Sequence, residues 1–599
     1  MGYEAARAMV DKCCILQITF MRMNDRFILF WTLFPMLLSS QDLVTVFEKN
    51  NIQTATFTEC MDYYRTLDHR FKSITIIKAG RSDVSYPIDL VIVDRDGLSR
   101  ADAIRAKSRA IIWINNGIHP GEPEGIDASM MLARDLVTRK EYKGLLDKVS
   151  IVIVPVYNIG GCLRRNNTSR TNQNGPEFYG FRGNNNYLDL NRDFIKQDSR
   201  NAKTFAKTWQ VWQPDIFVDT HTTDGADYPY AISVLPGMRG KMGKILGDYL
   251  YDKMLPQLYE GMKNAGEEMI PYVEFRDRME DGVYAFYDKP RFSSGYAALY
   301  HSIPFVIETH MLKPFARRVQ ATSLLLWQIL QYTAAHQSEI KNIRTASAAS
   351  MQKSDHYPIR WKLDAASPKM MAFRSFGTKS IYYPVLCDSL YCYDPHSGLL
   401  QNIPYYENYI PELIVSVPDY YIIPQAYEDL IRSLHRNGVH FTRLTKDSLV
   451  RASYYRLGDF KTVPTPYENH YLHTNLQVTE ESMSYPYLKG DVLVPVRQAS
   501  MQWILQTLEP QAEDSYFAWN FFDGILMRKE YYSDYAFAPF AEQEISSKPE
   551  LAKAYKSYLT SDSSSARKMA DKLEFVYYRS RFSEPYYRLY PVARIFNAR

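Results

Sequence analysis

Between Thr54 and His336, short apolar runs alternate with longer segments whose apolar positions recur at helical spacing. Thr54 to Leu67 predicts a helix with Met61, Tyr64 and Leu67 on one face. Ser73 to Lys78 and Ile88 to Asp94 are β-branched runs bounded by turn residues such as Gly80-Arg81-Ser82, and predict strands. Ala110 to Ile114 is apolar throughout and is followed by a predicted helix over Gly125 to Val137, with Met130, Met131 and Leu136 as its apolar surface. Val149 to Val156 predicts another buried strand, stopped by Tyr157-Asn158 and Gly160-Gly161. Ile216 to Val218 and Pro304 to Ile307 predict two more, and Arg318 to His336 a closing helix. Strands alternating with helices predict an α/β domain on a mostly parallel sheet, with its ligand site beyond the carboxyl ends of the strands.

The pattern changes after Thr345. Thr345 to Asp355 is rich in Ala and Ser and reads as a linker, and residues 356–400 are rich in Tyr and Pro with little helical periodicity. Leu413 to Val417 and Asp491 to Val496 predict strands. Tyr427, Leu430, Ile431 and Leu434 predict a helix that stops at Gly438. The expected organisation is a catalytic domain over 41–345, a linker and small β-rich region over 346–405, and a C-terminal domain of mixed α and β structure over 406–599.

The chain start adds a compartment. Met23-Asn24-Asp25-Arg26, an apolar run from Phe27 to Leu38 and the small residues Ser39-Ser40 predict a secretory signal over 23–40. The run is too short to span a membrane comfortably, so no stable span is expected after cleavage. Residues 1–22 carry acids and Cys13 and Cys14, fit that signal poorly, and read as an upstream leader outside the natural start. A secreted or periplasmic protein is expected, with no long pro-segment before the catalytic domain. The remaining cysteines, Cys60, Cys162, Cys387 and Cys392, make no disulfide framework. With 71 basic and 67 acidic residues the net charge is +4, and no basic stripe marks a nucleic-acid partner. The 47 tyrosines suit sheet faces and aromatic-lined clefts.

Polar residues at the strand ends supply the chemistry. The first end reads Asn116-Gly117-Ile118-His119-Pro120-Gly121-Glu122, in which an imidazole and a carboxylate three positions apart can converge on one cation. Asp189-Leu190-Asn191-Arg192 offers charge-assisted donors for a carboxylate, although an Arg192 ion pair with Asp189 or Asp193 would explain the same residues. His221 follows the strand Ile216 to Val218, and Glu308 ends the apolar run before it, where an unpaired carboxylate would be costly.

Taken in order, HxxE, D-x-N-R, a strand-end His and a later strand-end Glu resemble the zinc carboxypeptidase (funnelin) family over about residues 45–345. Ala79-Gly80-Arg81-Ser82 and Pro87-Ile88 are similar to that family's early turn and strand. The resemblance implies a mixed, mostly parallel sheet flanked by helices, one zinc ion per chain held by His119, Glu122 and His221, and Glu308 as general base. It implies that Asp189 orients His119, and that Asn191 and Arg192 grip the terminal carboxylate of a peptide or protein substrate. For the oxyanion-stabilising arginine, Arg164, Arg165, Arg170 and Arg182 qualify, and Arg182 is preferred for its spacing to Arg192. Tyr284 or Tyr287 would be the mobile lid tyrosine. Ser293-Ser294 would lie near the floor of a specificity pocket without evident charge.

The expected function is therefore a secreted zinc metallocarboxypeptidase. Two other readings stay open: a zinc-dependent amide deacylase or cell-wall peptide amidase, and an inactive homologue that binds peptide or glycan. Nucleophilic hydrolysis finds no GxSxG elbow, and neither a P-loop nor a dinucleotide fingerprint is present.

Overall fold

Aliphatic runs with no polar face must be covered on both sides, and here they form the middle of a large sheet. The computed structural model describes residues 43–276, 281–561 and 568–597, so the expected leader and signal segment lie outside the described residues. The strands of the first half are β1 (Ile74–Arg81), β2 (Pro87–Val93), β3 (Ala110–Asn115), β4 (Val149–Val154), β5 (Ile216–Thr223), β6 (Ile232–Pro236), β7 (Met269–Pro271), β8 (Val273–Glu274), β9 (Val283–Ala285) and β10 (Ile303–His310). Eight of them make one sheet in the order β1-β2-β4-β3-β5-β10-β6-β7. The centre, β4-β3-β5-β10, is parallel, whereas β1 and β2 on one side and β6 on the other join antiparallel. Every residue of β3 and β4 is buried.

Local signals set the flanking helices. Thr56 and Glu59 close a capping box on Phe57–Arg70, Ser199 caps Arg200–Trp212, and Gln213 ends that helix in a left-handed conformation. Helices Glu124–Thr138 and Phe315–Ala335 pack together against the sheet. Trp113 of β3 and Phe217 of β5 meet Phe205 and Trp209 of Arg200–Trp212 in an aromatic layer. The result is a mixed, mostly parallel sheet flanked by helices, as the sequence predicts.

The expected linker takes another form. Residues 337–352 continue as the helix Gln337–Gln352. Alanine is the strongest helix former, and Arg344 anchors this helix by an ion pair with Asp215 and by donating to the His301 carbonyl at 2.7 Å. Beyond it come β11 (His356–Leu363), β12 (Lys369–Tyr383), β13 (Asp388–Tyr406) and β14 (Tyr409–Ser416). β12 and β13 form a long ribbon, and the end of β13 pairs with β9, which ties this stretch back to the first half. A six-stranded sheet follows, centred on Tyr420–Ile423 and carrying helices around it. Cys60, Cys162, Cys387 and Cys392 are free. No helix among the described residues is long and apolar enough to cross a membrane.

Gly125 is where helix Glu124–Thr138 presses on β5. A Cβ there would fall inside the Thr220 side chain and against Asn116 Oδ1. Gly125→Ala is expected to destabilise the protein by about 1–3 kcal/mol. Gly144→Ala, at a position with open space around it, should change stability little. Unfolding midpoints of the two variants check this.

Candidate metal centre and active site

β3 ends at Asn115, and the chain leaves it through Gly117 at φ 65°, a conformation that favours glycine. Tyr157 and Asn158, just past β4, donate to the Asn116 and Gly117 carbonyls at 2.8 and 3.0 Å, and so tie this loop to the neighbouring strand. The Glu122 amide closes a turn onto the His119 carbonyl at 2.9 Å. His119 and Glu122 thereby face β5, which carries His221. Parallel pairing then sets Glu308 of β10 opposite His221. Four residues far apart in sequence are thus placed by three adjacent strands.

Each imidazole is fixed from behind by a carboxylate. His119 Nε2 lies 2.9 Å from Asp189 Oδ1, and His221 Nε2 lies 2.8 Å from Asp219 Oδ2. An ionised carboxylate only accepts, so both Nε2 atoms carry the proton and both Nδ1 atoms point their lone pairs forward. Those Nδ1 atoms are 3.1 Å apart, and Glu122 Oε2 is 3.3 Å from one and 3.0 Å from the other. All three groups are buried, with one ligand atom from each lying within 4.8 Å of the others. Three acceptors converging in a buried space demand positive charge between them. Two nitrogens and one oxygen suit zinc and leave a fourth position open for water or substrate. In the metal-free chain the same demand falls on a proton: burial disfavours a charged His221, yet Asp219 and Glu122 outweigh it and raise His221 well above its ordinary range.

The rest of the cluster balances charge. Burial would raise Glu122, but His119 and Arg170 hold it well below the usual carboxylate range. Burial likewise opposes ionised Asp189, and His119, Arg182 and Arg192 hold it well below that range. Glu308 goes the other way: burial pushes it up to about 8, opposed by His221 and Arg182 and assisted by Glu122 and Asp219.

A cleft of about 200 Å³ opens over these groups, and Asn191, Arg192 and Arg182 line it with them. Asp189 caps the turn Leu190–Arg192 by accepting from the Asn191 amide at 2.8 Å. Asn191 Oδ1 accepts from the Ser293 amide at 3.0 Å, and the Arg192 guanidinium lies 4.7 Å from the Phe292 ring centre. Arg182 pairs with Asp189 at 2.9 Å while its side chain stays 46% exposed. Arg170 also borders the cleft, but it is committed to Glu122 Oε1 at 2.7 Å and the Thr222 carbonyl at 2.9 Å. Arg164 and Arg165 bind backbone carbonyls elsewhere and do not line the cleft.

Neither expected lid tyrosine reaches the cleft. Tyr284 lies in β9 and stacks on Tyr406, and Tyr287 stacks on Tyr409. Their place on the wall is taken by Phe286, between them in sequence, and by Tyr272. Strands β13 and β14 explain the difference: each supplies an aromatic partner, Tyr406 for Tyr284 and Tyr409 for Tyr287. Two further groups escaped the sequence reading. Asp219 could have been found, since Asp-x-His at a strand end is a pattern for a supported ligand. Tyr467, which accepts from Arg192 Nε at 3.1 Å, gave no local signal. Ser293, expected near the pocket floor, also donates its hydroxyl to Asp219.

Asp219→Asn and Asp189→Asn remove the anionic support behind His221 and His119. Each is expected to weaken zinc binding about 10- to 100-fold, measured by competition with a chromogenic chelator.

Residues 60–223 match the family model for zinc carboxypeptidases. That segment contains His119, Glu122, Asp189, Asn191, Arg192 and His221, whereas Glu308 lies beyond it and is placed by strand register. Carboxypeptidase 2 of Trichophyton rubrum is 25% identical over 111 residues, 18% of this chain and 18% of that protein. Probable carboxypeptidase 2 of Trichophyton verrucosum is 26% identical over the same shares. The match thus spans about a fifth of the length of these relatives. Among solved structures, a metallo-carboxypeptidase from Burkholderia cenocepacia is 16% identical, with a TM-score of 0.35, over 46% of this chain and 68% of that one. A metallo-carboxypeptidase from Pseudomonas aeruginosa, in complex with (2-guanidinoethylmercapto)succinic acid, is 18% identical, with a TM-score of 0.35, over 47% and 68%. All three metal-facing residues lie inside the segment that matches the zinc carboxypeptidase model, the family that the strand-end pattern resembles.

Proposed function

We propose that this chain is a zinc-dependent metallocarboxypeptidase that hydrolyses the C-terminal bond of exported or extracellular peptides. One observation carries the reading: the convergent acceptors of His119, Glu122 and His221 share a cleft with Glu308 on one side and Asn191 and Arg192 on the other. A zinc ion held by those acceptors would polarise a carbonyl and bring the pKa of water to about 7. Arg192 and Asn191 hold the substrate's terminal carboxylate, which fixes the scissile bond one residue in from the chain end. Glu308, whose ionised form a cation between the three ligands would favour against burial, takes a proton from the attacking water at its carboxylate and returns it to the leaving amine. Arg182, with its guanidinium half exposed beside Glu122, stabilises negative charge that develops on the carbonyl oxygen.

The cleft wall sets an expectation for specificity. Leu235, Phe286, Phe292 and Val306 line it beside Ser294 and carry no charge, whereas Asp224 also borders the cleft and could pair with a basic side chain.

In a mixed peptide library the wild-type chain is expected to release uncharged or basic C-terminal residues in preference to acidic ones. Glu308→Gln, with about one zinc per chain like the wild type, should be slower by about 100- to 10,000-fold. Mass spectrometry of released amino acids with a zinc assay on both proteins checks this. Zinc in both with release from neither would move the activity to N-acyl amino acids or cell-wall peptides, and absence of zinc from both would leave a binding protein. Arg182→Ala should lower kcat about 100- to 1000-fold, and a variant of near wild-type kcat would return the oxyanion role to Arg170.

A further inference from the structure

The Arg192 wall of the cleft is completed by a turn from far along the chain. Tyr467 to His470 is a tight hairpin turn, with the Tyr467 amide on the His470 carbonyl at 2.7 Å and the reverse bond at 3.0 Å. Its central residues, Glu468 and Asn469, have φ of 50° and 70°. Mirror-image turns of this kind usually take Asn or Gly at both places, and a glutamate there is strained. Such strain persists only where the surroundings over-determine it, and it concentrates at functional positions. Here several contacts hold the turn, Arg291 against the Tyr467 ring at 5.5 Å among them. The Tyr467 ring stacks on buried Trp519 at 6.2 Å, His470 Nε2 lies 2.9 Å from Asp198 Oδ2, and Glu468 Oε2 accepts from the Asp189 amide at 2.8 Å.

Both residues at the front of the turn therefore act on the expected substrate-binding segment. Glu468 holds the backbone of Asp189, whose side chain holds His119 and Arg182. The Tyr467 hydroxyl accepts from Arg192 Nε, and Arg192 Nη1 donates to the Asn191 carbonyl at 3.0 Å. With those two donors occupied, the guanidinium is held 4.7 Å from the Phe292 ring centre, and Nη2 has no partner among the described residues. A long arginine side chain left unpinned would lose rotamer freedom only when substrate binds, at a cost in affinity. We propose that Tyr467, set by the Glu468 anchor, is a positioning residue for substrate recognition: it presents Arg192 Nη2 to the terminal carboxylate of a peptide. The inference rests on the carboxypeptidase reading for Arg192, and it makes a residue outside the matched segment part of the recognition site.

The test is Tyr467→Phe in the full-length, zinc-loaded chain, which keeps the ring on Trp519 and removes only the hydroxyl. The probes are N-acetyl-phenylalanine and its C-terminal amide, titrated calorimetrically, together with kcat and KM on a peptide with a free C-terminus. Expected are about 10-fold weaker binding of the acid, unchanged binding of the amide, and KM raised about 10-fold with kcat within about two-fold. Zinc content and unfolding midpoint should stay at the wild-type values. Should Tyr467→Phe lower the midpoint, Glu468→Ala, which frees the turn from Asp189, decides by the same acid-selective loss. A wild type that prefers the acid, with variants that prefer it equally or lose acid and amide in parallel, overturns this inference alone. A wild type that binds acid and amide alike overturns the carboxypeptidase reading and this inference with it.

Discussion

Positive charge between His119, Glu122 and His221 is the requirement on which the rest of the site depends. Asp189, Glu122 and Asp219 are three carboxylates in largely dry surroundings, and burying an ionised acid without a partner is costly. Each is compensated by an imidazole, an arginine or a backbone amide, and each imidazole is held forward by the acid behind it. The compensation is reciprocal. Asp189 keeps His119 in the tautomer that exposes Nδ1, while His119 and the arginines keep Asp189 ionised. Ser293 extends the chain of contacts by donating to Asp219 through its hydroxyl and to Asn191 through its amide, so the metal-facing cluster and the Asn191–Arg192 side of the cleft share one support.

Strand register is the ruler that makes this arrangement possible. β3, β5 and β10 run parallel and adjacent, and their pairing sets Asn115 beside Asp219 and Glu308 beside His221. Side chains on a strand alternate, so a one-residue slip of β10 would turn Glu308 away from the cleft. The full burial of β3 and most of β5 guards against such a slip, because it would move aliphatic side chains out of the aromatic layer around Trp113 and Phe217. The apolar runs that look like mere core are thus what aligns Glu308 with the metal-facing cluster.

This explains why so much of the first half was legible in the sequence. Runs such as Ala110 to Ile114 and Val149 to Val154 have no alternative to burial, and polar residues at their ends have no alternative to a shared edge. The expected helices over 125–137 and 318–336 fall within a few residues of Glu124–Thr138 and Phe315–Ala335. Legibility failed where partners come from elsewhere in the chain. The Ala/Ser stretch after Thr345 reads as a linker until Arg344 is seen to fasten its helix to Asp215. Tyr284 and Tyr287 read as lid candidates until Tyr406 and Tyr409 are seen to occupy them.

The same reasoning changes the standing of the second half. A boundary at 345 would separate residues that hold one cleft. Two parts of its wall come from the segments 189–192 and 291–294, and each is fastened by groups from beyond residue 406. Tyr467 and Glu468 hold the first wall. Asp514 holds the second, accepting from the Arg291 amide at 2.8 Å and from its Nε at 2.7 Å. Asn437 then accepts from Tyr296 at 2.8 Å just behind that wall. A loop such as 189–192, with one turn of helix and a charged face, has little core of its own to fix it, and under the proposed function its arginine needs fixing before the substrate arrives. A fold that relied on the large sheet alone would leave that loop to be ordered by substrate. Fastening it with a strained turn places the cost in folding instead of in binding, and for that reason the residues from 406 onward belong to the physics of the site.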